Sequence, residues 1–306
     1  MRNKFKAPED WQSYSNSIIE KTRLLIRLQI WDEVEELNLD SWLKNFTDKE
    51  GIYFAACILD AFIYRSKKMC HSMLRNILND LVPNYCREIK IANFDSLKQW
   101  KELFLQADNL VRFVPANISD GKVKSSTIVA REFLHANDIH SYIVQQPENI
   151  QRVIDNGTKL IVFIDDIAGS GRQFKTFCKQ IDIEQYKGKV HFLYAPLVAH
   201  PDAITAIEKE YNFLKVRPID TLNESHNFFH ACENGFFRGD GTNTVEGAKK
   251  FYDSIFPSDS KSTRKYMYGM NSHCLTYSFH FSTPNNNIKA LYHNGPSWNR
   301  LIFRVK

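Results

Sequence analysis

The sequence predicts an α/β fold: a parallel sheet with crossover helices, preceded by a helical N-terminal region. Three observations predict it. Residues 13–106 repeat apolar side chains at helical spacing. Residues 160–164 and 190–198 are continuous apolar runs of strand length, the mark of strands buried on both faces. Helical patterns follow each run, and strand–helix alternation is the signature of a crossover sheet.

In order along the chain, Ile18, Ile19, Leu24, Leu25, Leu28 and Trp31 recur at helical spacing. A second helix begins near Asp48, with Asp48 or Thr47 as its cap, and carries Tyr53, Ala56, Cys57, Leu59 and Phe62. A third covers residues 67–81 and is expected to stop before Pro83, and a fourth covers 95–105. Residues 110–115 form a short apolar run, and 127–134 read as a helix with Arg131 and Glu132 outward. After the strand at 160–164 come a helix at 172–183, a strand at 190–198, a helix at 201–211 and a strand at 213–216. Residues 223–241 read as a folded insertion and 245–256 as a helix ending at Pro257. Strands at 272–281 and 288–292, joined by the turn Thr283-Pro284-Asn285-Asn286-Asn287, read as a C-terminal hairpin. The expected division is a helical region over 1–108 and an α/β domain with a hairpin extension over 109–306.

The chain has 306 residues, 43% hydrophobic and 25% charged, which is enough for a sizeable core and excludes collagen-like, coiled-coil and disordered classes. The longest apolar stretch, 52–64, is too short for a membrane span and contains Asp60. The first ten residues are polar and lack the apolar centre of an export signal, so the cytoplasm is the expected location and no membrane partner is expected. The six cysteines, Cys57, Cys70, Cys86, Cys178, Cys232 and Cys274, form no C-x-x-C pair and read as reduced thiols.

Chemistry concentrates in one segment, Leu160-Ile161-Val162-Phe163-Ile164-Asp165-Asp166-Ile167-Ala168-Gly169-Ser170-Gly171-Arg172-Gln173. Ligands of open α/β sheets bind at the carboxyl ends of strands. A loop of small residues lets backbone amides approach an anion, and the following helix aims free N–H groups and its positive dipole end at the same point. The paired carboxylates can accept from sugar hydroxyls or hold a divalent metal through bound water. The plain alternative is that the acids merely end a strand. A Walker A loop is excluded, because Gly-x-x-x-x-Gly-Lys-Ser/Thr is absent, and so is Gly-x-Gly-x-x-Gly.

An apolar strand, two acids and a small-residue loop ending in glycine resemble the binding motif for 5-phosphoribosyl 1-diphosphate (PRPP) in type I phosphoribosyltransferases. The resemblance implies that Asp165 and Asp166 contact ribose hydroxyls in a catalytic role. It implies that Ala168, Gly169, Ser170, Gly171, Arg172 and Gln173 line a 5′-phosphate loop. Gly169-Ser170-Gly171 stands where many members have Thr-Thr-Gly, and Gln173 where a Thr or Ser is frequent. The Asp-Asp-x-x-Gly-Ser-Gly form is similar to the phosphoribosyltransferase-like proteins of bacterial conflict systems, the PRTase-CE group. That similarity extends to Trp31, Trp42-Leu43 and Phe46, to the helix at 55–64, to Tyr268-Gly269-Met270-Asn271-Ser272, and to Thr283-Pro284-Asn285-Asn286. It implies a helical part, with room for a helix-turn-helix or winged-helix unit, joined to a phosphoribosyltransferase-like domain. It further implies Mg²⁺ acting with a diphosphate substrate, chemistry at the ribose anomeric carbon, and a setting in antiviral defence. Some relatives are retron effectors, so a reverse transcriptase or a non-coding RNA or DNA is an implied partner. The alternative is a non-catalytic nucleotide-sensing regulator that binds nucleic acid or a protein.

A second loop for diphosphate would be residues 115–126, with Gly121, Lys122, Lys124, Ser125 and Ser126. His226 and His230 are spaced for one helical face, yet no third ligand has clear spacing, so no protein metal site is expected. His273 and His280 carry no better signal. Arg217 follows a strand end and could reach the cleft, and Asn285 and Asn286 build a turn. The aromatic residues Trp31, Trp42, Phe46 and Phe62 read as core, and Arg65, Lys67, Lys68 and Arg75 as a basic face. The net charge is +5, all of it after residue 110, which places the surplus in the same half as the phosphate loop.

Overall fold

The computed structural model describes residues 4–105, 110–117, 125–230, 242–257 and 264–304. The chain begins with α1 (Trp11–Arg27), α2 (Glu36–Leu43), α3 (Lys49–Asp60) and the short strand β1 (Ile63–Arg65). Next come α4 (Lys67–Asn76), a π-helical turn (Ile77–Leu81), α5 (Val82–Glu88) and α6 (Leu97–Leu105). The α/β part follows as β2 (Val111–Pro115), α7 (Ser125–Asn137), α8 (Ile150–Asp155), β3 (Leu160–Ala168), α9 (Arg172–Gln180), β4 (His191–Ala199), α10 (Pro201–Glu210), β5 (Leu214–Val216) and β6 (Asp220–Thr221). The chain closes with α11 (Val245–Ile255) and β7 (Tyr277–Phe279). No helix among the described residues is long and apolar enough to cross a membrane.

The chain divides into two compact units, Met1–Lys67 with Asn223–Lys306, and Lys68–Leu222. This differs from the expected boundary near residue 108. Helices α4 to α6 belong with the sheet, and the C-terminal segment belongs with α1 to α3. Periodicity reads local patterns, whereas the division follows contacts far apart in sequence.

In the second unit every strand pairing is parallel, in the order β2-β3-β4-β5, with β6 pairing β4 farther along. The residues of β3 are buried apart from the partly exposed Ile167, as the continuous apolar run predicts. One face packs Phe163 against Phe192 (5.7 Å) and against Phe174 and Phe177 of α9. The Phe113 ring of β2 lies 4.5 Å from that of Phe133 in α7. Burial of each such ring contributes about 1.5–3 kcal/mol.

Pro83 does not end its helix. The backbone widens into the π turn, in which the Val82 N–H donates five residues back to the Ile77 carbonyl. In that register the Leu78 carbonyl would meet Pro83, which has no N–H. The indole Nε1–H of Trp100 in α6 donates to it instead (2.7 Å), so the proline defect becomes an anchoring point for α6.

In the first unit Asp48 caps α3 as expected, its side chain accepting from the Gly51 N–H (2.7 Å). Trp31, Trp42, Phe46 and Phe62 are core residues, as expected. Trp42 and Trp298 both donate their indole N–H to the Ala290 carbonyl, at 2.8 and 3.0 Å. The expected C-terminal hairpin is absent. β7 is three residues long and pairs in parallel with β1, while Lys289–Leu291 is a 3-10 turn. The asparagines explain this. Asn287 is fully buried and donates to the Pro284 carbonyl, and Asn286 donates toward the Met270 carbonyl and His273 Nδ1. These side chains bind the chain to itself as a knot of loops, where a hairpin turn would leave them in water.

Gly269 sits at the centre of that knot. Its φ is +79°, and a Cβ there would lie 2.1 Å from the Asn286 carbonyl oxygen. Gly157 has φ +93° with open space around it. Gly157→Ala should therefore cost only about the 1 kcal/mol of an unfavourable backbone, and Gly269→Ala well above it, because backbone must move. Denaturant titrations of the two variants check this, and equal losses would refute the packing argument.

Candidate functional site

The acids of the singled-out segment lie inside the sheet, since β3 continues past them to Ala168, with Asp165 opposite Pro196 of β4. Both are buried, at 2% and 6% exposure. A buried carboxyl must find hydrogen bonds. Asp165 accepts from the Tyr194 hydroxyl through Oδ2 and from the Asp166 N–H through Oδ1, each at 3.0 Å. Asp166 accepts from the Ile167 N–H (2.9 Å) and from the Ser125 hydroxyl at the start of α7. The two carboxyl groups are neighbours on the strand and their titrations are coupled.

Two adjacent buried carboxyl groups favour sharing one proton over carrying two charges. Burial, and then the charge of Asp166, push Asp165 well above the usual carboxylate range. Burial raises Asp166 too, but the Asp165 hydrogen bond, the Ile167 N–H and Ser125 pull it back. Both groups are therefore raised, Asp165 the further, and the pair titrates together rather than as two independent acids. Tyr194, raised by burial and by the Asp165 charge, stays a hydroxyl and a donor. Its ring stacks on Phe174 in the first turn of α9, with centroids 3.7 Å apart. The acid pair and the loop that opens α9 therefore share one aromatic support.

Gly171 has φ +70° and is the N-cap of α9. A Cβ on it would press within 3.0 Å of Ile207 and 3.2 Å of the Ala203 carbonyl, so glycine also lets α9 approach α10. Ala168, Gly169 and Gly171 are buried, Ser170 is partly exposed, and Arg172 and Gln173 are exposed. Ser170 Oγ accepts a long bond from the Arg172 N–H (3.4 Å), and the first-turn N–H groups of α9 have no intrahelical acceptor. Asp165, Asp166 and Ser125 form an all-oxygen donor set, the kind that suits Mg²⁺ held partly through water.

Gly121, Lys122 and Lys124 of the expected second loop lie outside the described residues. Its flanks are held together: Asn117 Nδ2 donates to Ser126 Oγ (2.6 Å) and Thr127 Oγ1 (2.9 Å). Sequence reasoning missed Asn117 and Tyr194. A tyrosine inside an otherwise apolar buried strand was the available signal, since its hydroxyl requires a partner.

The other candidates have structural partners. His226 ends a 3-10 turn and contacts Asn223, while His230 pairs with Glu224 at 3.0 Å, so the two share no helical face. Arg217 pairs with Glu88 at 3.3 Å. Arg65 donates to the Tyr277 hydroxyl and Arg75 to the Ala136 carbonyl. Cys57, Cys70, Cys86, Cys178 and Cys274 are buried and form no disulfide, and Cys232 lies outside the described residues. Nor does the charge surplus accompany the loop. The loop's unit holds 20 Lys and Arg against 18 Asp and Glu, and the other unit 20 against 17.

Because folding raises Asp165, the folded chain takes up a proton that the unfolded chain has lost. Its cost in stability grows as pH rises above about 4. Asp165→Asn keeps the neutral shape and removes that cost. The variant should melt higher than the parent near about pH 8, by roughly 2–4 °C for each kcal/mol relieved, and alike near about pH 4. The same shift at both pH values would show that proton uptake is not the cause.

The sequence model of the family PRTase-CE matches residues 39–304. No curated protein matches the chain, and no solved structure does. The matched span takes in the parallel sheet, the acid pair, the Gly171 loop and the packing of Gly269 on Asn286. The chain belongs to the PRTase-CE family, and its α/β unit is phosphoribosyltransferase-like.

Proposed function

We propose that the chain binds PRPP or a related phosphorylated ribose or nucleotide and acts at the ribose anomeric carbon. One observation carries this reading: a buried, proton-sharing acid pair is fused, without a break in the chain, to a glycine loop capping a helix N-terminus. The loop, Ala168 to Gln173, would take the 5′-phosphate on its backbone N–H groups and on the dipole of α9. Asp166 would accept from the ribose hydroxyls, and the charge of the acid pair would face the positive charge that develops on the sugar as the bond at the anomeric carbon breaks. Asp165 and Tyr194 would keep Asp166 oriented. Mg²⁺, held by the acids, would neutralise the departing diphosphate. Positioning and charge compensation would supply most of the acceleration. The family likeness supports a role in antiviral defence, with a reverse transcriptase or a non-coding RNA or DNA as partner.

A second reading, a nucleotide-sensing regulator without turnover, is favoured by the closure of Asp165. Tyr194 and Asp166 occupy its oxygens, so one acid of the pair is already engaged inside the protein. Turnover separates the readings. Mass spectrometry after incubation with PRPP, nucleotides and NAD should reveal product for an enzyme and none for a sensor.

Both readings require the acids for ligand binding. In calorimetry with Mg²⁺ and PRPP, Asp166→Asn should weaken binding by about tenfold or more, which is about 1.4 kcal/mol. The double variant Asp165→Asn/Asp166→Asn should abolish it. Unchanged affinity in the double variant would sink the site assignment.

A further inference from the structure

We infer that the C-terminal part of the first unit is a binding surface for single-stranded nucleic acid. The sequence supplies the first observation. Residues 260–306 contain seven Lys and Arg and no Asp or Glu, in a chain that has 35 acids over 306 residues. A merely solvated face mixes both signs, because each charge lowers its energy beside its opposite. A long acid-free stretch instead calls for an anion from elsewhere.

The fold gathers these cations. The Lys289 ammonium donates to the Lys265 carbonyl at 3.3 Å, and the Arg304 charge acts directly on Lys289. Burial, and then the nearby Arg304, hold the Lys289 ammonium below its usual range. Lys265 and Arg304 form no ion pair among the described residues. An anion bound here would be attracted by more than one cation at once.

Aromatic rings interleave with the cations. Lys265 lies over Tyr266 at 4.9 Å, Arg300 over Phe303 at 5.0 Å, and Arg304 over Tyr292 at 5.2 Å. Tyr266 is 47% and Phe303 57% exposed. Tyr266 and Phe303 thus each combine an adjacent cation with ring surface open to a partner, whereas Tyr292 is buried. Phosphates on the cations and unstacked bases on exposed rings are how single strands are held. A duplex would engage the cations but hide its base faces, and an acidic peptide would make no use of the rings. Residues 265–304 form loops, 3-10 turns and one short strand, and none of these described residues forms the amphipathic helix of a membrane-surface binder.

The inference does not rest on the phosphate loop, which belongs to the other unit. A labelled 20-nucleotide single strand of mixed sequence, titrated with the full-length protein in fluorescence anisotropy, tests it. Binding should weaken steeply with salt, and Lys265→Glu/Arg304→Glu should weaken it by about tenfold or more. Phe303→Ala and Tyr266→Ala should each lower single-strand affinity by about tenfold while leaving duplex affinity unchanged. Circular dichroism matched to the parent shows that these surface variants fold. Four results would each overturn the inference: no binding by the parent, undiminished binding by the charge-reversal variant, ring variants that bind as the parent does, or competition by excess PRPP.

Discussion

The second unit is organised by a conflict within β3. A strand covered on both faces must exclude water, yet this one carries two carboxyl groups inside the sheet. Two buried anions side by side would repel strongly at low dielectric. Sharing a proton removes one charge, and Tyr194, Ser125 and the backbone of Asp166 and Ile167 satisfy the oxygens that remain. Each of these partners comes from a separately placed element. β4 brings Tyr194, α7 brings Ser125, and the strand's own backbone brings the rest. The site is therefore assembled by sheet register and helix placement. The stacking of Tyr194 on Phe174 ties the same arrangement to the start of α9.

The first unit meets a related demand by another route. Its chain leaves after Lys67 and returns at Asn223, so its core must be closed by contacts that span most of the sequence. The Ala290 carbonyl accepts from indoles 248 residues before it and eight residues after it. Buried loops are costly unless their polar groups are paired. Here Asn286, Asn287, Ser278 and Thr283 provide that pairing, and Gly269 permits the closest approach. The two tail motifs that suggested the family are thus one packed feature, with the Met270 N–H donating to the Asn285 carbonyl at 2.8 Å.

What the sequence made legible follows from the range of the interactions involved. The apolar run of β3, the Asp48 cap and the Gly171 loop are set by neighbours within a few residues, and each was readable. Pro83 misled because its effect depends on Trp100, seventeen residues on, which takes the carbonyl that the proline leaves over. The C-terminal hairpin misled because Pro and Asn carry the same turn signal in water and in a buried knot. Burial, which decides between them, is a property of the whole fold. Tyr194 lay within a correctly read strand, but its partner is fixed only by the register of β3 against β4.

Charge shows the same dependence on topology. Read along the chain, the surplus of +5 falls after residue 110, in the same half as the Gly171 loop. Read by units, the loop's own unit is almost balanced, and the excess after residue 222 belongs to the other unit. A phosphate cup does not need net charge, because its N–H groups and helix dipole are local and act at contact distance. A polyanion is different, since its affinity grows with the number of cations that displace its counterions. Under the two proposals, the near-neutral loop unit would take a small anion by backbone, and the acid-free tail of the other unit a long one by side chains.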